Sequence, residues 1–268
     1  MLKIFPTPFT GSKSTTVFMK VSDLTIYHTN DIHARCEIFR ELENIRKDSN
    51  TLLLDAGDAI AGSSTVFRLS EETLIQMNKV GYDALTMGNR ELNYIRWVLK
   101  IRAQQANFPV LTANLIDLKG KTEGFFKPYI VKNLSGLKVG IFGLTPVQYN
   151  DDSAWLPFFK FRFLDPLEVS KKMAEELGRE VDILILLSHL GIKDDSRIAG
   201  EVDGIDLIIG GHTHTLLETP LFINGTYIFQ AGCHGNYLGK IKIRAQSGIK
   251  PSVQQLEYEL IKNRYAKN

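Results

Sequence analysis

The stretch Leu207-Ile208-Ile209-Gly210-Gly211-His212-Thr213-His214 runs from an apolar segment through two glycines into a pair of histidines. Short apolar runs bounded by turn residues read as buried strands. Two imidazoles spaced by two after a glycine pair face one cavity without crowding from their neighbours. The same arrangement returns along the chain: apolar runs over Leu24 to Tyr27, Leu52 to Leu54, Ala84 to Met87 and Ile183 to Leu187 each lead into Gly, Asn, Asp or Ser. Just beyond them stand Asp31 and His33, Asp58, Asn89, and His189. In open α/β sheets ligands bind beyond the carboxyl ends of strands, so these seven metal-type side chains on five separated segments describe one metal-lined sheet edge. Four of the six histidines fall there, which uniform scatter would seldom deliver. The other two, His28 and His234, read as structural or as support behind the ligands.

From residue 24 onward, strand-like and helix-like segments alternate, which argues for a layered α/β domain. Ile38, Leu42 and Ile45 repeat at helical spacing, as do Ile95, Val98 and Leu99, and Val169, Met173 and Leu177 after Asp165-Pro166. Further strands are expected over Tyr129 to Lys132, Lys138 to Phe142, Leu221 to Ile223, Tyr227 to Ala231 and Leu238 to Ile243, with Asn224-Gly225 as a hairpin turn. The pattern predicts two sheets face to face with helices outside. No repeat or linker interrupts residues 24–260, so the chain reads as one domain there, with an extension over 1–23 and a tail over 261–268.

A length of 268 residues permits a sizeable core, and 44% hydrophobic with 23% charged residues is ordinary for a soluble enzyme. A net charge of +2 gives no reason to expect nucleic acid or an anionic membrane as partner. Cys36 and Cys233 are the only cysteines, outside any CxxC pair, which fits reduced thiols in the cytoplasm. Neither a secretory h-region nor a span of about 18 apolar residues is found.

Asp31-Ile32-His33 places a carboxylate and an imidazole on one side of an extended chain, although such a triplet alone also reads as a hydrogen-bonded turn. Asp58 sits among Gly57, Ala59, Ala61 and Gly62, where a carboxylate either bridges two cations or caps a turn. Asn89 offers a neutral oxygen. This donor mixture suits Mn, Fe, Co, Ni or Zn better than Ca or Mg. Two divalent cations sharing Asp58 would clamp a phosphoryl group and lower the pKa of a bridging water, which favours phosphoester hydrolysis.

Thr29-Asn30-Asp31-Ile32-His33, Asp55-Ala56-Gly57-Asp58, Gly88-Asn89-Arg90-Glu91, Leu187-Ser188-His189-Leu190-Gly191 and Gly210-Gly211-His212-Thr213-His214 occur in this order. Together with Phe163-x-Asp165-Pro166, Gly204-Ile205-Asp206 and Gln230-Ala231-Gly232, they resemble the motifs of calcineurin-like metallophosphoesterases of the 5′-nucleotidase branch. The resemblance implies a four-layer α/β/β/α sandwich and a dinuclear centre. One metal would take Asp31, His33, Asp58 and His214, and the other Asp58, Asn89, His189 and His212. The substrate implied is a small phosphoester, with a nucleotide among the candidates.

Two departures accompany the resemblance. Arg90 and Asn93 stand where the family usually has a His and an Asp that assist the leaving group. An arginine stays protonated at any working pH, so Arg90 is expected to bind phosphoryl oxygens rather than supply a proton. Asn93 is expected to support the site from behind. Typical members also continue into a C-terminal domain that supplies a nucleoside pocket, whereas this sequence ends at Asn268. The aromatic stretch Tyr149, Trp155, Phe158, Phe159, Phe161, Phe163 either packs beneath a loop, stacks on a base, or meets a partner chain or second copy. Both departures also suit a metal-binding scaffold that works with a separate substrate-binding domain.

Overall fold

The computed structural model describes residues 21–45, 48–62, 70–92, 95–122, 124–248 and 253–266. Asn93 and the first twenty residues of the expected extension therefore lie outside the described residues.

The first half contains β1 (Val21–Thr29), α1 (Ile38–Glu43), β2 (Thr51–Asp55), α2 (Glu72–Val80), β3 (Ala84–Thr86), α3 (Arg96–Gln105), β4 (Val110–Leu111), β5 (Leu115–Asp117) and β6 (Tyr129–Leu134). The second contains β7 (Leu137–Leu144), α4 (Leu156–Phe159), β8 (Phe161–Phe163), α5 (Pro166–Leu177), β9 (Ile183–Ser188), α6 (Ile192–Glu201) and β10 (Leu207–Gly210). It ends with β11 (Leu221–Ile223), β12 (Thr226–Phe229), β13 (Tyr237–Gln246) and β14 (Val253–Lys262).

Two six-stranded sheets result, ordered β14-β13-β1-β2-β3-β4 and β11-β12-β10-β9-β7-β6, with β5 and β8 paired separately. The period-two geometry of a strand explains how they stack. In β9, Ile183, Ile185 and Leu187 meet Leu24, Ile26, Leu52 and Leu54 between the sheets. The intervening Leu184 and Leu186 point outward to Leu167, Met173 and Leu177 of α5 and Ile198 of α6. On the other side, Leu53 of β2 packs with Ile38 and Leu42 of α1 and Leu74 and Met77 of α2. A strand buried on both faces has no polar face to show, hence the continuous apolar runs of the sequence. The expected α/β/β/α sandwich is the observed architecture.

Local signals behave as their chemistry requires. Asp165 caps α5, its carboxylate accepting from the Glu168 N–H at 2.9 Å, with Pro166 in the first turn. Asn224 and Gly225 both take positive φ, 47° and 86°, in the two-residue turn between β11 and β12. The aromatic stretch divides: Phe161 and Phe163 are buried, with Tyr149 and Phe159 packed against the same core cluster, whereas Trp155 and Phe158 are 59% and 76% exposed. Among the described residues, no helix is long and apolar enough to cross a membrane, and Cys36 and Cys233 are both free.

Strands β1, β2, β3 and β4 are mutually parallel, as are β7, β9, β10 and β12. Their carboxyl ends carry the loops that hold the candidate ligands.

Candidate metal centre

All seven strand-end side chains converge in overlapping groups. Asp31, His33 and His214 can present one ligand atom each within 4.8 Å of one another, and so can Asp31, Asp58 and His189. Asn89 joins through His212, its Oδ1 lying 3.1 Å from His212 Nδ1. The carboxylate common to the two triplets is Asp31, whereas the family pattern gives the bridging place to Asp58.

The loops adopt conformations that no periodicity signals. Asp31, His33, Asp58, His212 and His214 all have φ between 50° and 74°. Non-glycine residues reach this left-handed region at a cost and cluster at functional sites. Glycines relieve the crowding around them: a Cβ on Gly57 would lie 2.7 Å from His189 Nδ1, and one on Gly211 would lie 2.8 Å from the Ala56 carbonyl oxygen.

Buried hydrogen bonds hold the inner part. Asp31 Oδ2 accepts from the His212 N–H (2.9 Å) and from Asn30 Nδ2 (2.8 Å). Asn30 also ties this loop to the other sheet, donating to Gly232 O and accepting from the Ala231 N–H. His189 Nδ1 lies 2.6 Å from the Ala56 carbonyl oxygen, so that nitrogen donates and Nε2 is left as a ligand. Glu91 closes the Gly88-Asn89-Arg90-Glu91 motif but has no role among the sequence-based expectations. Its Oε2 accepts from the Asp58 and Gly88 N–H groups at 2.8 and 2.9 Å, and its Oε1 from those of Ala59 and Ile60 at 2.8 and 3.2 Å. One buried carboxylate thus staples the Asp58 loop to the Asn89 loop. Its only trace in the sequence is an acidic residue directly after the Gly88-Asn89-Arg90 segment.

The polar atoms left over test whether cations fit. Asp31 Oδ1 and His189 Nε2 are buried without a hydrogen-bond partner. They lie 3.9 Å apart, and His189 Nε2 approaches Asp58 Oδ1 to 3.4 Å without hydrogen-bond alignment. A divalent cation among these atoms satisfies a buried carboxylate and an imidazole together. The titration behaviour agrees. Burial opposes charge on His189, yet the Asp58 and Asp31 carboxylates outweigh it and hold its pKa up at about 9. Burial raises the Asp31 carboxyl and, with the Arg90 charge nearby, brings His33 down to about 4. Burial would raise Asp58 as well, but His189 and the Arg90 N–H bring it below the usual range. The inner cage therefore calls for positive charge, while the outer imidazole stays neutral and ready to coordinate.

Arg90 lies at the edge of this cage. Its backbone N–H donates to Asp58 Oδ1 at 2.8 Å, its Nη1 donates to the Ala61 carbonyl oxygen at 2.5 Å, and its Nε is 3.7 Å from Asp58 Oδ2 with the side chain 42% exposed. His234 is also brought in, its ring 5.3 Å from that of His33 and 5.7 Å from that of His214. His28 is not. It sits fully buried between the sheets, stacked on Tyr258 at 6.1 Å and opposite Gly239, where a Cβ would collide with the ring. Cavities flank the cluster, one of about 710 Å³ bordered by His234 and one of about 360 Å³ bordered by His212.

Known proteins share this arrangement of sequence and fold. The family profile described as calcineurin-like phosphoesterase matches residues 24–216. A snake venom 5′-nucleotidase from Gloydius brevicauda is 36% identical over 82% of the chain and 45% of its own length. A 5′-nucleotidase from Rattus norvegicus is 31% identical over 82% of the chain and 46% of its own length. Among solved structures, a 5′-nucleotidase precursor from Thermus thermophilus superposes with a TM-score of 0.74 at 26% identity, over 90% of this chain and 54% of that one. The chain spans less than half the length of these two curated relatives.

Proposed function

Because the chain belongs to the calcineurin-like phosphoesterase family, we propose that it is a two-cation hydrolase of small phosphoesters, of the 5′-nucleotidase type. One observation carries the reading: seven ligand-type side chains from both sheets meet around buried, unpartnered Asp31 Oδ1 and His189 Nε2. The relatives' names support a nucleotide substrate. A cytoplasmic setting belongs to the same proposal and rests on the free thiols of Cys36 and Cys233.

Asp31, His33, Asp58 and His214 would hold one divalent transition-metal ion, and Asp58, Asn89, His189 and His212 the other. Bound there, such ions supply Lewis acidity toward phosphoryl oxygens and lower the pKa of water. The chain's own groups do the rest. Asn89 contributes its side-chain oxygen to the cage and its amide protons to a phosphoryl oxygen. Arg90 turns its fork to the phosphoryl group and strengthens its hold as negative charge gathers there. Glu91 keeps the Asp58 and Asn89 loops at fixed separation. No proton comes from Arg90, so departure of an alkoxide is left without an acid from this position.

The test is a panel of phosphomonoesters and phosphodiesters of graded leaving-group pKa, assayed with metal-loaded protein and with Asp58→Asn. Turnover that steepens with better leaving groups and is lost in Asp58→Asn is expected. Stoichiometric metal without turnover sensitive to Asp58→Asn would overturn the enzyme reading and leave a metal-binding scaffold.

A further inference from the structure

The first turn of α6 reaches behind both loops that carry histidines at the edge of the second sheet. Strand β9 ends at Ser188 and β10 at Gly210, and these two residues are register partners across the parallel pair. His189 follows the first directly, and His212 stands two residues beyond the second. Asp195, in that first turn and fully buried, touches both strand ends. Its Oδ1 accepts a hydrogen bond from the Ser188 hydroxyl. Ser188 Oγ in turn accepts from the Leu190 N–H at 3.2 Å, so the chain is gripped on either side of His189. The other carboxyl oxygen, Oδ2, has no hydrogen-bond partner and faces Gly210 so closely that a Cβ there would collide with it. A separate bond ties the same turn to the other loop: the Ile192 N–H donates to Thr213 Oγ1 at 3.3 Å, between His212 and His214.

A buried carboxyl is a costly way to fill space, and Ile198 and Ala199 fill the inner side of the same helix with apolar groups. What Asp195 adds is a hold on the backbone from which two imidazoles project. The orientation of a ligating histidine depends on the groups behind it. For His189 the Ala56 carbonyl fixes the ring, and the Ser188–Asp195 pair fixes the chain that carries it. We propose that Asp195, acting through Ser188 and against Gly210, is a positioning residue for the cation shared by His189 and His212. The inference rests on the two-cation reading and adds to it a residue that itself contacts neither ion nor substrate. Ligand constellations tolerate a displacement of about 0.5 Å, so releasing the Ser188 end weakens that ion more than the one held with His33 and His214.

Equilibrium dialysis against cobalt(II), with the visible absorption of the bound ion as a second readout, tests this in the wild-type chain, Asp195→Ala, Asp195→Asn, Ser188→Ala and Val202→Ala. Val202, buried at the far end of α6, controls for loss of stability alone. The wild-type chain is expected to bind about two ions. In Asp195→Ala and Ser188→Ala, one of the two dissociation constants should rise about 10- to 100-fold, the scale of removing a group that supports a ligand, and the absorption of that ion should change. Asp195→Asn keeps an oxygen for the Ser188 hydroxyl and should restore most of the affinity. Val202→Ala should lower the unfolding midpoint with both ions retained. Two ions bound as tightly in Asp195→Ala and Ser188→Ala as in the wild-type chain, or an equal loss in Val202→Ala, would overturn the positioning role. Asp195→Asn as weak as Asp195→Ala would overturn it too, because charge rather than the bond to Ser188 would then be at work. A wild-type chain that binds no cobalt would strike the two-cation reading itself, and the inference with it.

Discussion

The two triplets that meet at Asp31 are built differently. Asp31, Asp58 and His189 are all buried, whereas in the other triplet His33 is half-buried and His214 opens toward solvent with 41% of its side chain exposed. The inner group is locked by the fold: His189 against Ala56 O, Asp31 against the His212 N–H, and the Asp58 loop against Glu91. In the outer group, His33 Nε2 and His214 Nε2 face each other at 3.0 Å, and His33 Nδ1 is buried without a partner. The pair shares one hydrogen bond, and both nitrogens stand where a common ligand could take them. The difference teaches that half of the site is preorganised before any cation arrives, while the other half is completed by it.

His189→Ala against His214→Ala is the strongest way to break that distinction. Loss of the inner imidazole should lower turnover by roughly 10³-fold at any metal concentration, the scale of removing a principal electrostatic stabiliser. Loss of the outer one should weaken metal binding by about 10- to 100-fold and be largely restored by excess metal. Metal titrations of activity read both, and equal, unrescued losses would erase the difference between the triplets.

Glu91→Gln probes what makes the inner half rigid. Burial pushes this carboxyl up to about 7, yet its two oxygens accept four backbone N–H groups. A glutamine amide keeps one acceptor and turns donors toward donors. The expected cost is about 1–3 kcal/mol in thermal or denaturant unfolding, with metal affinity reduced about tenfold or more. Unchanged metal affinity despite lower stability would reduce Glu91 to a structural brace.

These contrasts explain what was legible from residue order. Parallel strands buried on both faces betray themselves as apolar runs, and ligands must sit at their ends, so Asp31, Asp58, His189 and His212 could be named before any geometry. The amphipathic segments after Cys36, Ile95 and Asp165 were readable because apolar residues recur every turn. Less was readable where the signal is tertiary. The sequence-based expectations include no helix over Glu72–Val80 or Ile192–Glu201 and no strand over Val253–Lys262; β14 is an edge strand whose residues are half-buried or exposed throughout. Glu91 and Asn30 act through backbone groups of distant loops, and left-handed φ at Asp31 or His214 has no periodic signature. Of the two places the sequence leaves open for His28, structural or in support of the ligands, the structure shows the structural one, since adjacency to Asp31 in sequence says nothing about which sheet face a side chain takes.

That histidine also separates acid loss in the core from acid loss at the site. Burial lowers the His28 pKa to about 3 from an ordinary value near 6.5. Its neutral form is favoured in the folded chain, so its stabilising contribution is complete above about pH 6.5 and declines as pH falls toward 3. The slope is at most about 1.4 kcal/mol per pH unit. Denaturant unfolding between pH 7 and pH 4.5 should show a shallower acid decline in His28→Leu than in the wild-type chain. Parallel declines would assign acid sensitivity elsewhere, to the carboxylates and imidazoles of the cage.

Divalent-metal content, measured by elemental analysis after reconstitution and desalting of the wild-type chain and His214→Ala, tests the central claim most directly. The account predicts about two transition-metal ions per wild-type chain, and about one in His214→Ala, retained by the inner group. Wild-type protein that holds no divalent metal while hydrolysing phosphoesters at full rate would contradict it.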